Sequence, residues 1–504
     1  MRVFRPGWKK LGTSFELRLF LAIWTIYALH VVPGGGVNPN RYFDLTHSLV
    51  DQHTITIDRY QENTIDKAFK DGHYYSAGLP GPSIVGAPSY LIFKIAYRFV
   101  PGSWLNHFSQ VQSFKQGTRG GFYQADNTAF FLSTIWITLF SLSLLSAFAA
   151  VVFFRIFLRL GLSQGNALIA TVAYAFGTPV FFYSTTYFSH VFSASLAIFA
   201  LYLVLRLTAS DGPLGFVVLG FISGSAMLME YQSLVLIAGL VLYALWIWPS
   251  KHLLAFCVGC AIPFGLLLGY NTLAFGGPFH ATYEFLASSD RQHLTGGILG
   301  FTIPRPTRLF GLSFSLERGL FLYSPILLLA FVGYVRSFRD KRQPAYGLTG
   351  LSIFVFFSLW LWIGSFADWH GGSAFGPRYL TLAIPFAVIG LALSLSYVPK
   401  LISVPLLALS VINNWLGAQY GFAENILEPW RQFLTSGFTL PALNALTSHS
   451  RGDTPITSFV ANRMWLITAI YGALVVGCLI LMVSSTLRKR TNLVAEDGLI
   501  ENQI

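Results

Sequence analysis

The apolar positions of this chain gather in long runs, separated by polar stretches of very unequal length. A helix that spans a bilayer needs roughly 20 mostly apolar residues. Twelve runs approach or exceed that length: 17–32, 128–154, 167–184, 191–205, 214–229, 233–248, 253–275, 320–335, 348–365, 380–397, 401–416 and 464–487. They predict an all-α polytopic membrane protein with about 12 transmembrane helices. The first run follows Arg2, Arg5, Lys9, Lys10 and Arg18 and leads into Pro33-Gly34-Gly35-Gly36 with no small-x-small cleavage site. It reads as an uncleaved signal anchor whose N-terminus is cytoplasmic. A further apolar stretch, 83–100, carries Lys94 and Arg98 and reads as a helix lying in the interface.

Charge supports this count. With twelve spans both termini are cytoplasmic, and the inner segments hold 17 basic and 6 acidic residues against 16 and 15 outside. Every short inner loop then carries Arg or Lys, as the positive-inside rule requires. A thirteenth span at 83–100 inverts everything downstream and breaks the pattern. Composition removes the alternatives. Hydrophobic residues make up 54% of the chain and charged residues only 11%, against roughly 25% charged in soluble domains. That is too little charge to coat several soluble domains. The net charge of +12 lacks a basic run interleaved with aromatics outside the termini, which excludes nucleic acid as a partner. Three cysteines make no disulfide framework. Cys257-Val258-Gly259-Cys260 falls inside an apolar run and reads as small buried residues of a membrane helix.

The predicted organisation is a cytoplasmic segment 1–16, a transmembrane body 17–393 with outer loops 34–127 and 276–319, and C-terminal helices 394–487 with outer loop 417–463. A cytoplasmic tail, 488–504, follows. The outer loops carry the sequence complexity, so the expected site faces outward from the cell (inner) membrane. The first loop interleaves Asp44, Asp51, Asp58, Glu62, Asp66 and Asp71 with Arg41, Arg59, Lys67 and Lys70. Asn40 is placed to cap a helix through His47 and Val50, residues 54–57 alternate as an extended segment, and Asp71-Gly72 marks a turn. Dense carboxylates and cations at an outer membrane face suit a phosphate-bearing lipid and a general base. Elsewhere His190, Glu230 and Tyr231 sit at outer ends of predicted spans. Trp369 and His370 lead into Gly371, Gly372 and Gly376, which let backbone approach a ligand. Arg378, just beyond, is suited to a bidentate phosphate contact. His370 and Asp368 are the pair on which a divalent metal ion becomes a candidate cofactor, without ligand spacing to support it.

These words resemble a known superfamily. A span, a long outer loop with interfacial helices, then many spans is similar to the C-type glycosyltransferases, integral membrane enzymes that use polyprenyl-phosphate-linked sugars. Asn38-Pro39-Asn40-Arg41-Tyr42 stands where aminoarabinose transferases and protein O-mannosyltransferases have an Asp-Glu-x-Arg-Tyr-like segment. Gly72-His73-Tyr74-Tyr75-Ser76 with Leu79-Pro80-Gly81 resembles the bacterial branch's GHYYSDKAPG. Gly276-Gly277-Pro278, Glu317-Arg318-Gly319-Leu320-Phe321, Tyr323-Ser324-Pro325, Trp369-His370-Gly371-Gly372 and Gly376-Pro377-Arg378-Tyr379 look like the same branch. Two departures stand out. The acidic residue after the first span is Asn38 here, and the family's Asp-Lys before Pro-Gly is Ala77-Gly78.

The resemblance implies inverting transfer of a sugar from a polyprenyl-phosphate donor to an extracytoplasmic glycan, lipid or protein acceptor. Asp44, Asp58 and Asp66 are the candidate bases in place of Asn38. Arg41, Lys67 and His73 are the candidate phosphate contacts in place of the lysine. Asn38, Tyr74, Tyr75, His190, Glu230, Tyr231, Trp369, His370 and Arg378 complete the expected substrate-binding set. Two other readings compete: a transporter or flippase of lipid-linked saccharide, and a non-catalytic lipid-glycan-binding member of the same fold.

Overall fold

The computed structural model describes residues 13–34, 36–102, 127–287, 300–339, 345–441 and 469–477. The chain opens with α1 (Thr13–Leu29), the apolar run predicted as the anchor. The segment predicted as the first outer loop then folds as α2 (Val37–His47), a two-stranded hairpin of β1 (Lys67–Lys70) and β2 (His73–Ser76), and α3 (Gly81–Tyr97). Two expectations change here. Helix α2 starts at Val37 with Gly36 as its cap, because Pro39 in the first turn costs no helical hydrogen bond. Asn40 is therefore inside the helix, where its amide donates to Asn63 O at 2.8 Å. The strands lie at 67–76 rather than at 54–57. Asp71 (φ 51°) and Gly72 (φ 87°) close them, the paired left-handed conformations that a two-residue hairpin turn needs.

Among the described residues, five helices are long and apolar enough to cross a membrane: α4 (Thr128–Arg159), α7 (Ser189–Arg206), α10 (Ser250–Phe275), Tyr346–Ser365 and Lys400–Tyr420. Between α4 and α7 come α5 (Gln164–Phe176) and α6 (Val180–Thr185); between α7 and α10 come α8 (Pro213–Met229) and α9 (Ser233–Ile247). The protein is a multi-pass membrane protein. The last predicted run, 464–487, falls mostly outside the described residues, which include only its helical part 469–477.

Helix α8 carries Gly220 and Gly224, one turn apart, against α10. A Cβ at Gly220 would lie 2.0 Å from Phe256 O, and one at Gly259 2.0 Å from Val217 O. Small residues at this spacing let membrane helices touch backbone to backbone. Gly259 thus gives the Cys257–Cys260 segment its packing role. Cys260 is partly buried against Gly220 O, while Cys257 lies on the exposed face, contrary to the expectation that both are buried.

Two predicted runs are broken. The run 167–184 stops after Phe176 and restarts at Val180, across Gly177-Thr178-Pro179. The run 320–335 is a single turn, Leu320–Tyr323, then a 3-10 turn from Pro325 and a helix Leu329–Arg339. Proline removes a helical donor at each break, and within a bilayer the freed groups need partners from protein. Asn414 Nδ2 donates to Tyr323 O at 2.9 Å, Asn413 Nδ2 to Leu322 O at 3.1 Å, and Ser410 Oγ accepts from Ile326 N at 3.0 Å.

The segment of α2, the hairpin and α3 is fastened to this body. His47 bonds Ser133 of α4 at 3.0 Å, Trp136 of α4 donates to Ser89 O of α3 at 3.0 Å, and Tyr187 donates to Pro82 O at 2.8 Å. These ties hold the end of α2 and helix α3 against the body, and Gly81 at the start of α3 lies against Leu228 O of α8.

Candidate functional site

Arg41 projects from α2 and is buried. Its Nη1 donates to Asp66 Oδ2 at 2.7 Å and its Nη2 to Tyr42 Oη at 2.8 Å, while Nε has no partner. Asp66 is set by the chain just before the hairpin, where its own N–H donates to Thr64 Oγ1 and Thr64 donates to Val37 O. Asn38 lies one turn earlier on α2, and its Nδ2 reaches the same Asp66 oxygen at 3.4 Å. Position 78 presses on this group. A Cβ at Gly78 would lie 2.5 Å from Tyr42 Cε1 and 2.8 Å from Arg41 Nε. No side chain fits at 78 while Arg41 occupies that space.

Arg378 approaches from the far end of the chain. It is half-buried, its Nη2 donates to Tyr379 Oη at 3.0 Å, and its Nε is buried without a partner. Its guanidinium lies 4.8 Å from the Tyr379 ring centre and 5.7 Å from that of Phe188. Among the described residues no carboxylate comes within ion-pair distance of it; Asp368 lies within electrostatic reach and accepts from Tyr379 Oη at 3.4 Å. The loop before it is pinned by Arg318, a buried cation that donates to the carbonyls of His370, Gly372 and Glu424. Gly371 has φ +70°, and a Cβ there would sit 2.6 Å from Arg378 Nε.

Between the arginines stand Tyr283, His190 and Glu230. Tyr283 lies within electrostatic reach of Arg41, Asp66, Tyr42 and Tyr379, and His190 within reach of both Arg378 and Arg41. Glu230 leaves α8 in extended conformation, so its carboxylate turns to the N-terminus of α7, the favourable end of a helix dipole. There it meets His190 Nδ1, Ser189 Oγ at 3.1 Å, Ser193 Oγ at 2.8 Å and Gln232 Nε2 at 2.8 Å.

The structure therefore brings together Asn38, Arg41, Asp66, His190, Glu230 and Arg378 of the expected set. The others lie elsewhere. Asp44 is fully buried, with Asn63 donating to one oxygen at 3.0 Å and the other oxygen unpartnered. Burial pushes its carboxyl well above the ordinary carboxylate range, with Asn63 and Lys67 opposing. Asp58 and His73 pair with each other at 2.7 Å on the exposed side of the hairpin. Lys67 is held by Gln61 and lies over the Tyr74 ring; burial draws its ammonium below the ordinary lysine range, against the pull of Glu62 and Asp44. Tyr75 packs on Phe275, and Tyr231 packs with Leu79, Leu228 and Leu267. Trp369 fills the space over Gly311, and His370 is exposed, 3.5 Å from Asp368. Among the described residues no three His, Cys, Asp or Glu side chains gather as a metal would require.

The sequence reading missed Tyr283, Tyr379 and Arg318 as members of this region. Tyr379 and Arg318 stand inside quoted motifs, whereas Tyr283 carries no local signal.

No family model and no curated protein sequence matches the chain. Among solved structures, it is similar to ArnT from Cupriavidus metallidurans in the apo state, at 12% identity over 92% of this chain and 72% of that one, with a TM-score of 0.47. The same enzyme bound to undecaprenyl phosphate aligns at 11% identity over 93% and 74%, with a TM-score of 0.46. An oligosaccharyltransferase from Archaeoglobus fulgidus, tethered to an acceptor peptide, aligns at 14% identity over 89% and 59%, with a TM-score of 0.42.

Proposed function

We propose that the protein transfers a sugar, with inversion, from a polyprenyl-phosphate donor to an acceptor at the extracytoplasmic face. One observation carries the reading: two cations from opposite parts of the chain, Arg41 and Arg378, converge at the ends of membrane helices, each with a buried Nε awaiting a partner. Leaving a buried donor of a charged group without a partner costs about 1–3 kcal/mol or more. A phosphate completes both, since the guanidinium fork matches its oxygens. A lipid phosphate enters from the bilayer beside them.

In this reading the acceptor hydroxyl attacks the anomeric carbon and the lipid phosphate departs with the bonding electrons. Arg41 and Arg378 stabilise the charge that grows on it. Asp66 is the one of the three weighed carboxylates that borders this wall, and there it holds Arg41 in place. Arg41 takes the role of the missing lysine. On the twelve-span topology predicted from the sequence, with both termini in the cytoplasm, this wall faces outside.

The transporter reading predicts ion-coupling sites where helices are interrupted. At the 324–325 break the freed groups are instead bonded by Asn413, Asn414 and Ser410, which favours transfer. The test is direct. Nanodiscs containing the full chain are given undecaprenyl-phosphate-linked radiolabelled hexoses and pentoses together with envelope extract as acceptor source. Movement of label out of the lipid fraction is expected for one donor. Failure to consume any donor and to bind undecaprenyl phosphate overturns the proposal.

A further inference from the structure

The geometry points to His190, oriented by Glu230, as the base that takes the acceptor's proton. This rests on the sugar-transfer reading above and settles a role which that reading leaves open.

The carboxylates of the first loop are poorly placed for it. Asp44 is sealed from solvent against Asn63, Asp58 lies outside with His73, and the Asp66 oxygen nearest Arg41 accepts from both Arg41 and Asn38. His190 differs from all three. Its Nδ1 contacts Glu230, a carboxylate that also accepts from Ser189, Ser193 and Gln232. A carboxylate surrounded by four donors is ionised and can only accept, so Nδ1 carries the proton. Nε2 is then the atom with the free lone pair, and among the described residues it has no hydrogen-bond partner. A base whose far nitrogen is fixed by a carboxylate is the arrangement that presents a lone pair to a hydroxyl.

The ring is also in the right place. It stacks on Phe188 at 5.7 Å and meets the edges of Tyr183 and Tyr379 at 5.6 and 5.7 Å. Phe188 carries the Arg378 guanidinium as well, so base and phosphate cation are one aromatic ring apart. In the step, Nε2 takes the acceptor's hydroxyl proton as the oxygen bonds to the anomeric carbon. The bond from that carbon to the phosphate oxygen breaks, and its electron pair leaves with the lipid phosphate. His190 ends as an imidazolium beside Glu230, which offsets the new charge. The charged and titratable groups around the ring are Glu230, Arg378, Arg41, Tyr183 and Tyr379.

The experiment uses the full chain in nanodiscs with whichever labelled undecaprenyl-phosphate sugar the wild type consumes. His190→Asn keeps a donor near Glu230 but has no Nε2. It should lower turnover about a hundredfold to ten-thousandfold, the usual worth of a general base, with undecaprenyl phosphate affinity within about threefold. Glu230→Gln should slow turnover and move the acidic limb of the pH-rate profile to lower pH, because the anion that favours the imidazolium is gone. A wild type that binds no lipid phosphate and consumes no donor removes the sugar-transfer reading itself. An active wild type with a fully active His190→Asn overturns this inference alone. So does a His190→Asn variant whose loss is all in lipid affinity, which makes His190 a phosphate contact, or a Glu230→Gln variant whose acidic limb stays in place.

Discussion

Replacing Arg378 with alanine separates a ligand contact from a structural one. The side chain makes one hydrogen bond, to Tyr379 Oη at 3.0 Å, and faces no carboxylate at ion-pair distance among the described residues. A hydrogen bond to a charged group contributes about 1.5–3 kcal/mol, and a guanidinium fork on phosphate offers two. Because Arg378 is half-buried, solvent screens part of that, and about 2–3 kcal/mol in total is a fair expectation. At 1.4 kcal/mol per tenfold, Arg378→Ala should weaken undecaprenyl phosphate binding by about 30- to 150-fold. The fold should lose little, since the single bond to Tyr379 is offset by removing a half-buried cation. The melting temperature in detergent should move by about a degree or two. Lysine restores charge without the fork and should recover only part of the affinity. The assay is a titration of nanodisc-embedded protein with undecaprenyl phosphate, alongside thermal melts. Affinity within threefold of wild type refutes the clamp, and so does a loss of affinity matched by a loss of stability.

Four further outcomes are expected. Asp44 holds its proton more tightly folded than unfolded, so the stability this contributes is full below the unfolded carboxylate pKa of about 4 and is lost as pH rises toward the folded value. Asp44→Asn should therefore melt increasingly above wild type as pH rises above the unfolded carboxylate value; parallel melting curves contradict this. Asn414→Leu strands the Tyr323 carbonyl at the broken helix and should cost about 1–3 kcal/mol, read as a lower melting temperature; an unchanged melt shows that the carbonyl has another partner. Gly78→Lys should unfold or inactivate the protein by striking Arg41 and Tyr42, and Arg41→Ala added to it should recover lipid binding; no recovery argues against shared space. Cysteines at Gln116 and Gly437 should react with an impermeant thiol reagent on intact cells and one at Asp340 should not; labelling at Asp340 breaks the twelve-span topology.

The long apolar helices were legible because an uncharged run of such length has few other destinations. The helix breaks were less so. Pro179 and Pro325 stand in the sequence, but many membrane helices carry a proline unbroken, as Pro263 does inside α10. What permits the break at Pro325 is the pair Asn413 and Asn414, some ninety residues away. In the site, Arg378 announced itself by the glycines before it. The partnership of Arg41 with Asp66 did not, because 25 positions separate them and only the path of the hairpin brings them together. For the same reason spacing alone could not distinguish Asp44 from Asp66. Helix α2 turns one toward Asn63, and the strand entry turns the other toward Arg41.

The two departures from the resembled pattern meet at one place. Position 38 has an amide where the resembled segment has a carboxylate, and that amide reaches the carboxylate of Asp66 at 3.4 Å. Position 78 is glycine where the resembled segment has lysine, and the space beyond its Cα is filled by Arg41 Nε and the Tyr42 ring. The carboxylate beside position 38 is that of Asp66, bonded to Arg41 at 2.7 Å. A carboxylate engaged by a guanidinium is a poor proton acceptor, because taking a proton forfeits the ion pair. In the sugar-transfer reading proposed above, proton transfer therefore falls to a group outside the first loop, the role inferred for His190.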